Sequence, residues 1–284
     1  MYKNILTLTI AATLTQVAIA QTGIGLTDEE RAAAEKHKKE LSERSRLNGE
    51  EAFATLCIKY YVPKSKSKEL SELLMLREQR KAAYDYIHEE SPVKRAKAKL
   101  AIDSAFQDSI DVRLIPFNKG ISGENISFAM RLMPILNLDE AQRSYIAQKA
   151  LDIAHQLRIN PRKNVWNDEI NTLRQTLNTE QLDCFFTHKN AGKVTSLMRQ
   201  TWNKLNEANM TAKLDSARDC AQTYMYYLEQ QKINDIYRFY GTSKKKYLAE
   251  LSKRMPEMVR LYDSLGKRKR IEARKKEVGK EYVW

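Results

Sequence analysis

The sequence predicts an all-α protein, and three observations predict it. Only 9 glycines and 6 prolines punctuate 284 residues, and the chain is instead rich in Ala, Leu, Lys, Glu, Gln and Arg, the stronger helix formers. Apolar residues recur at three- and four-residue steps along most of its length. No stretch sustains the period-two alternation of a half-buried strand. At 42% hydrophobic and 30% charged, the chain is too apolar to be mainly disordered and long enough for one large core or two small ones. The same counts exclude collagen-like, disulfide-dense and multispan membrane classes. The expected architecture is a multi-helix antiparallel bundle with an extended basic C-terminal helix.

Residues 1–20 are set apart from the fold. Lys3 supplies a positive charge, Ile5 to Ile19 is an apolar stretch, and Ala18-Ile19-Ala20 is a small-x-small cleavage site, the pattern of a secretory signal peptide that leaves Gln21 as the mature N-terminus. An uncleaved anchor would need about 20 apolar residues, and this stretch is interrupted by Thr7, Thr9, Thr13, Thr15 and Gln16. No cysteine follows the cleavage site, so a lipid anchor is not indicated, and the expected compartment is the bacterial periplasm.

The elements follow in order. Thr27 caps a first helix with Asp28, Glu29 and Glu30 in its first turn, where acids favour the helix dipole. It continues to about Arg46 with few large apolar residues, which suits a mobile arm or one that orders on a partner. Phe53, Leu56, Cys57, Tyr60 and Tyr61 lead to Pro63. A helix from Ser67 carries Leu70, Leu73, Leu74, Tyr84 and Ile87. Ser91 and Pro92 open the next, through Ala96, Leu100, Ala105, Phe106 and Ile110, Pro being suited to the first helical position. Residues 111–125, with Pro116, Gly120 and Gly123, read as a loop and a domain boundary.

Asn137 or Asp139 caps a helix with Ile146, Ala150, Ile153 and Leu157. Val165, Trp166, Ile170 and Leu173 mark another before Asn178. Leu182, Phe185 and Phe186 precede Gly192, and Val194, Leu197, Met198, Trp202 and Leu205 follow it. Thr211 opens a last helix of this set, through Leu214, Ala217, Ala221, Tyr224, Leu228 and Ile236 to Gly241. The expected organisation is signal 1–20, N-terminal helical region 21–123, helical core 124–241 and basic C-terminal segment 242–284.

Three helix starts share one pattern: Leu26-Thr27-x-x-Glu30, Leu138-Asp139-x-x-Gln142 and Leu177-Asn178-x-x-Gln181. In each, a Leu staples the entry, a polar residue caps it, and Glu or Gln three residues on completes a capping box. The pattern also serves as ordinary helix punctuation in any all-α protein. It nevertheless resembles the L-T-x-x-Q motif of the Spy/CpxP-like periplasmic proteins over about residues 126–205, although Asp139 and Asn178 stand where the family has Thr. The resemblance implies a cradle of antiparallel helices, often a homodimer, that binds unfolded envelope proteins without ATP or damps envelope-stress signalling. Leu138, Asp139, Gln142, Leu177, Asn178 and Gln181 would then be structural caps.

Charge is the other feature. The chain carries a formal +13, and between Lys244 and Glu281 there are fourteen Lys and Arg against six acids. Lys267, Arg268, Lys269, Arg270 and Arg274 form its densest part. This run reads as a solvated helix, as a site for anionic lipid or an acidic partner, or, less fittingly in an exported chain without a base-reading motif, as a nucleic-acid site. Tyr282-Val283-Trp284 either anchors at an interface or packs back on the body. Upstream, Tyr226 and Tyr227 are adjacent and cannot share one narrow helix face, so exposed tyrosine surface is expected there, suited to binding; bundle packing is the alternative.

No residue set dictates a reaction. His37, His88, His155 and His188 are scattered, and Asp152, one turn before His155, is its only acidic neighbour in sequence. There is no His-Glu-x-x-His, phosphate loop, Gly-x-Ser-x-Gly or zinc spacing, so neither an enzyme nor a cofactor or metal site is expected. Of Cys57, Cys184 and Cys220, the last two are the better disulfide pair, the alternative being three small buried hydrophobes. The expected function is exported, chaperone-like protein binding. The alternative is a structural or accessory subunit of an envelope assembly, such as a secretion or conjugation apparatus.

Overall fold

The computed structural model describes residues 24–278; the expected signal peptide and the Tyr282-Val283-Trp284 segment lie outside them. Among the described residues there are twelve α-helices, one 3-10 turn and no strand, as the composition predicts. The chain divides into two compact units, Met1–Asn178 and Thr179–Trp284.

The first unit holds α1 (Asp28–Lys36), α2 (Lys38–Lys59), α3 (Lys64–Ile87), α4 (Pro92–Leu114), α5 (Lys119–Ser122), α6 (Glu124–Leu136), α7 (Glu140–Ile159) and α8 (Trp166–Thr176), with the 3-10 turn Ile115–Phe117 after α4. The helix starting at Thr27 forms as the capping pattern requires: Glu30 N–H donates to Thr27 Oγ1 at 3.2 Å, and the Thr27 N–H donates to Glu30 Oε2 at 2.9 Å. The expectation of a mobile arm is corrected. Glu30 is fully buried, and Arg80 on α3 donates to it from Nε at 3.0 and 2.9 Å and from a terminal nitrogen at 2.9 Å. Leu41, Ser45 and Gly49 are the buried positions of α2. A Cβ at Gly49 would sit 2.9 Å from the Met75 Cα. The arm therefore buries itself by close helix approach and one enclosed ion pair, and that kind of packing leaves no stripe of large apolar residues in the sequence.

Residues 111–125 are another correction. They are the end of α4, the 3-10 turn and the whole of α5, and Asp111, Leu114, Ile115, Ile121, Ser122 and Asn125 in them are buried. The chain is compacted there, and the division falls at Asn178 and not at residue 123. Gly123 adopts φ +138°, and a Cβ on it would meet Glu169 Oε1 at 2.4 Å. That space matters: buried Glu169, from α8, accepts the Ile126 N–H at 2.9 Å and Asn125 Nδ2 at 3.0 Å, satisfying one first-turn backbone donor of α6 with a carboxylate where the helix dipole favours one.

Asn137 ends α6 in the left-handed region, at φ 47°, and Asp139 caps α7; of the two candidates, only Asp139 begins a helix. The core face of α7 is Ile146, Ala150, Ile153 and Ala154. On α4 the buried face is Ile102, Phe106, Ile110 and Leu114, whereas Ala96, Leu100 and Ala105 are exposed, contrary to the sequence reading.

The second unit holds α9 (Thr179–Glu207), α10 (Ser216–Ile236), α11 (Gly241–Ser252) and α12 (Glu257–Val278). Gly192 does not interrupt α9, and nothing lies within 4 Å of where its Cβ would be. Asp215, rather than Thr211, caps α10, accepting the Arg218 N–H at 2.8 Å. The basic segment is two helices, parted at Met255-Pro256, where Pro256 cannot continue α11.

Candidate binding site

The second unit's core is small and aromatic. Val194 from α9, Tyr226, Tyr227 and Ile233 from α10, Leu251 from α11 and Val259 from α12 are buried together. Tyr226 and Tyr227 are each 8% exposed, so the expectation of exposed tyrosine here is corrected. α10 packs on α9, α11 and α12, and a helix with partners on several sides buries an arc wide enough for two consecutive residues. The rings meet edge to face at 6.0 Å, and Tyr227 Oη lies 2.8 Å from Thr201 Oγ1. Burial, with the Asp263 carboxylate adding to it, raises both phenol pKa values, so both rings keep their protons at neutral pH.

The residues predicted here to face outward are thus replaced by their neighbours. Met225 is 61% exposed. It borders an open groove of about 960 Å³ whose walls are Met225, Tyr226 and Glu229 on α10, Met255 and Pro256 in the link between α11 and α12, and Arg260 in the first turn of α12. A second hollow of about 280 Å³ lies among Thr201, Tyr227, Val259, Tyr262 and Asp263, and also touches Tyr226 and Met255. Methionine walls deform to fit irregular apolar partners, while Glu229, Arg260 and the tyrosine tips supply polar contacts of both signs. Sequence reading passed over Met225 and Met255. The available signals were the outward position beside a buried Tyr pair, and a Met-Pro step between two helices.

Lys267, Arg268, Lys269, Arg270 and Arg274 lie further along α12, all exposed. None has a carboxylate within 4.0 Å among the described residues; the one ion pair of α12 is Arg260 with Glu257 at 3.8 Å. They do not line the groove. The two parts share a helix, one wall and one rod.

The capping residues sit as structural elements. Asp139 accepts the Gln142 N–H at 2.7 Å, and Gln142 Oε1 accepts the Asp139 N–H at 3.1 Å. Gln142 Nε2 also donates to Thr176 O at 2.7 Å, tying the start of α7 to the last residue of α8. Leu138 and Leu177 are buried. Asn178 directly precedes α9, and Gln181 is half-buried in its first turn.

Other chemistry-bearing groups serve the fold. His155 Nε2 is 2.6 Å from Asp108 Oδ1 on α4, not from Asp152, which takes Lys149 Nζ at 3.3 Å. Arg158 joins Asp108 at 3.1 Å and Asp111 at 3.3 Å, so this set clamps α7 to α4. Cys184 and Cys220 are not bridged, and Cys57 is free and exposed. Among the described residues there is no cluster of His, Cys, Asp or Glu that could hold a metal ion, and no helix is long and apolar enough to cross a membrane. No family model, curated protein or solved structure matches the chain.

Proposed function

We propose that the protein is an exported α-helical binding protein that holds apolar segments of other polypeptides without nucleotide, in the manner of the Spy/CpxP-like family its capping motifs resemble. The observation that carries this reading is the methionine-walled groove between α10 and the start of α12. Its size suits a few side chains of an extended or helical segment, and Met225 and Met255 give it the tolerance for varied sequences that a chaperone needs. Residues 1–20 support export to the periplasm.

Purified protein is added to an unfolding reporter protein, and aggregation is followed by light scattering with and without Met225→Lys/Met255→Lys. Suppression by the natural chain, lost in the variant with helicity intact, supports the reading. Suppression that the variant retains rejects the groove as its site.

The alternative, a dedicated subunit of an envelope assembly, has its own observation. Val93 and Leu100, spaced by seven residues on one face of α4, are 80% and 70% exposed, and a fixed neighbour would cover such a stripe. Crosslinking in the cell separates the two. Many unrelated chains, enriched under unfolding stress, belong to the chaperone reading, whereas a short stress-independent set in fixed proportion belongs to the subunit.

A further inference from the structure

The C-terminal half of α12 poses a physical problem that the groove does not answer. Seven of the ten residues from Lys267 to Lys276 are Lys or Arg, and Glu272 is the one acid among them. All ten are exposed. Self-repulsion along such a rod opposes helix formation, and little packing offsets it.

The charge is not evenly distributed around the helix. At about 100° per residue, Lys267, Arg268, Ile271, Arg274 and Lys275 fall on one side, while Glu272 and Glu277 fall about 100° or more away from Ile271. Ile271 is 54% exposed on that acid-free side. One apolar residue among four cations on a single face, with both acids turned from it, is the arrangement of a helix that lies along a membrane surface, the apolar side chain entering the headgroup layer and the cations meeting lipid phosphates. No Asn or Gln occurs from Lys267 to Val278, so the segment lacks the amide side chains that read adenine. Tyr282 and Trp284 follow shortly in the sequence, residue types enriched at membrane interfaces.

From these observations we infer that residues 267–276 form a docking helix for an anionic phospholipid surface, contacted through Lys267, Arg268, Ile271, Arg274 and Lys275. This is independent of what the groove holds.

The test is co-sedimentation with vesicles, using protein expressed with its own first twenty residues and purified as the cell makes it. Phosphatidylglycerol-containing vesicles should bind it at low salt and release it at high salt, and phosphatidylcholine vesicles should not bind it. Each cation at the surface contributes about five-fold to binding. Lys267→Gln/Arg274→Gln/Lys275→Gln should therefore weaken it about a hundred-fold. The control triple Lys269→Gln/Arg270→Gln/Lys276→Gln, equal in charge removed, should weaken it much less, and Ile271→Ser should weaken it several-fold without changing the salt dependence. Equal binding to both vesicle types, equal loss in the two triples, or tighter binding to a short DNA duplex at the same ionic strength overturns the inference. The last result would assign the rod to nucleic acid.

Discussion

The two units differ in how much of their charge they match internally. In the first, carboxylates are gathered among cations across helix interfaces. Glu30 takes Arg80, Asp85 takes Arg44, Arg95 and Lys99, and Glu69 takes Arg113, with Lys66 beside it on its own helix. In the second, Lys189 pairs with Asp235 and Lys232 with Asp183 between α9 and α10 beside a compact aromatic cluster that holds four helices, and the cations from Lys267 to Lys276 on α12 have no carboxylate within 4.0 Å among the described residues. The difference teaches where to look for a partner. Charge matched within the molecule has been used by the fold, whereas the cationic rod of α12 and the open groove at its start are left for something outside it.

The sharpest way to break this contrast is at the buried pair. Arg80→Leu leaves the Glu30 carboxylate enclosed without its cation, and the expected cost is about 3–5 kcal/mol. Hydrogen exchange should show protection lost in α1–α3, and Glu30→Gln added to Arg80→Leu should recover much of it. Gly49→Ala is expected to cost about 1–3 kcal/mol in chemical denaturation, because its Cβ would meet the backbone of Met75 at 2.9 Å and α2 would have to retreat from α3.

The exposed end of the comparison is pH. Burial alone would raise the Glu69 pKa, but Lys66 and Arg113 outweigh it and hold the carboxyl below its usual range. Glu69 therefore contributes stability that is present above about pH 4.3 and lost as pH falls through its lower folded value. Glu69→Gln should cost about 1–2 kcal/mol at neutral pH and flatten the acid limb of the stability profile. Asp111 has the opposite sign. Burial raises its pKa despite Gln107 and Arg158, so protonation there favours the fold, and its contribution grows as pH falls.

What was legible in the sequence follows from which forces leave a local trace. Helix formation does: propensity and capping are local, and Thr27 and Asp139 close their capping boxes as read. Packing by small residues and single ion pairs does not. Nothing near Gly49 or Glu30 announces Met75 or Arg80, each tens of residues away, so the docked arm read as mobile. The segment 111–125 was misread because Pro116, Gly120 and Gly123 are loop signals, and the tertiary partner that makes Gly123 necessary, Glu169, is also distant. Periodicity failed for α10 because several helices pack on it: Tyr226 and Tyr227 are both core, and the large apolar side chain exposed at the groove is Met225, between them and Tyr224. The basic rod was legible, since a run of charge too dense for any interior needs no partner to be placed outside.

The smallest expected effect sharpens the comparison within the second unit itself. Gly192 and Gly266 lie inside α9 and α12, and neither has a neighbour within 4 Å of a built Cβ. With no steric reason for glycine, Ala at either position should stabilise its helix by about 0.5–1 kcal/mol, through the entropy glycine loses on folding. At Gly192, within a helix packed on α10, that gain should appear in the denaturation midpoint. Gly266 stands where α12 passes from packed residues to the exposed rod, so the gain at Gly266→Ala should appear as slower hydrogen exchange in residues 267–276 while the midpoint barely moves. Equal shifts of the midpoint in the two variants would mean that the rod unfolds together with the aromatic cluster, and that charge repulsion along α12 weighs on the whole unit rather than on its exposed end.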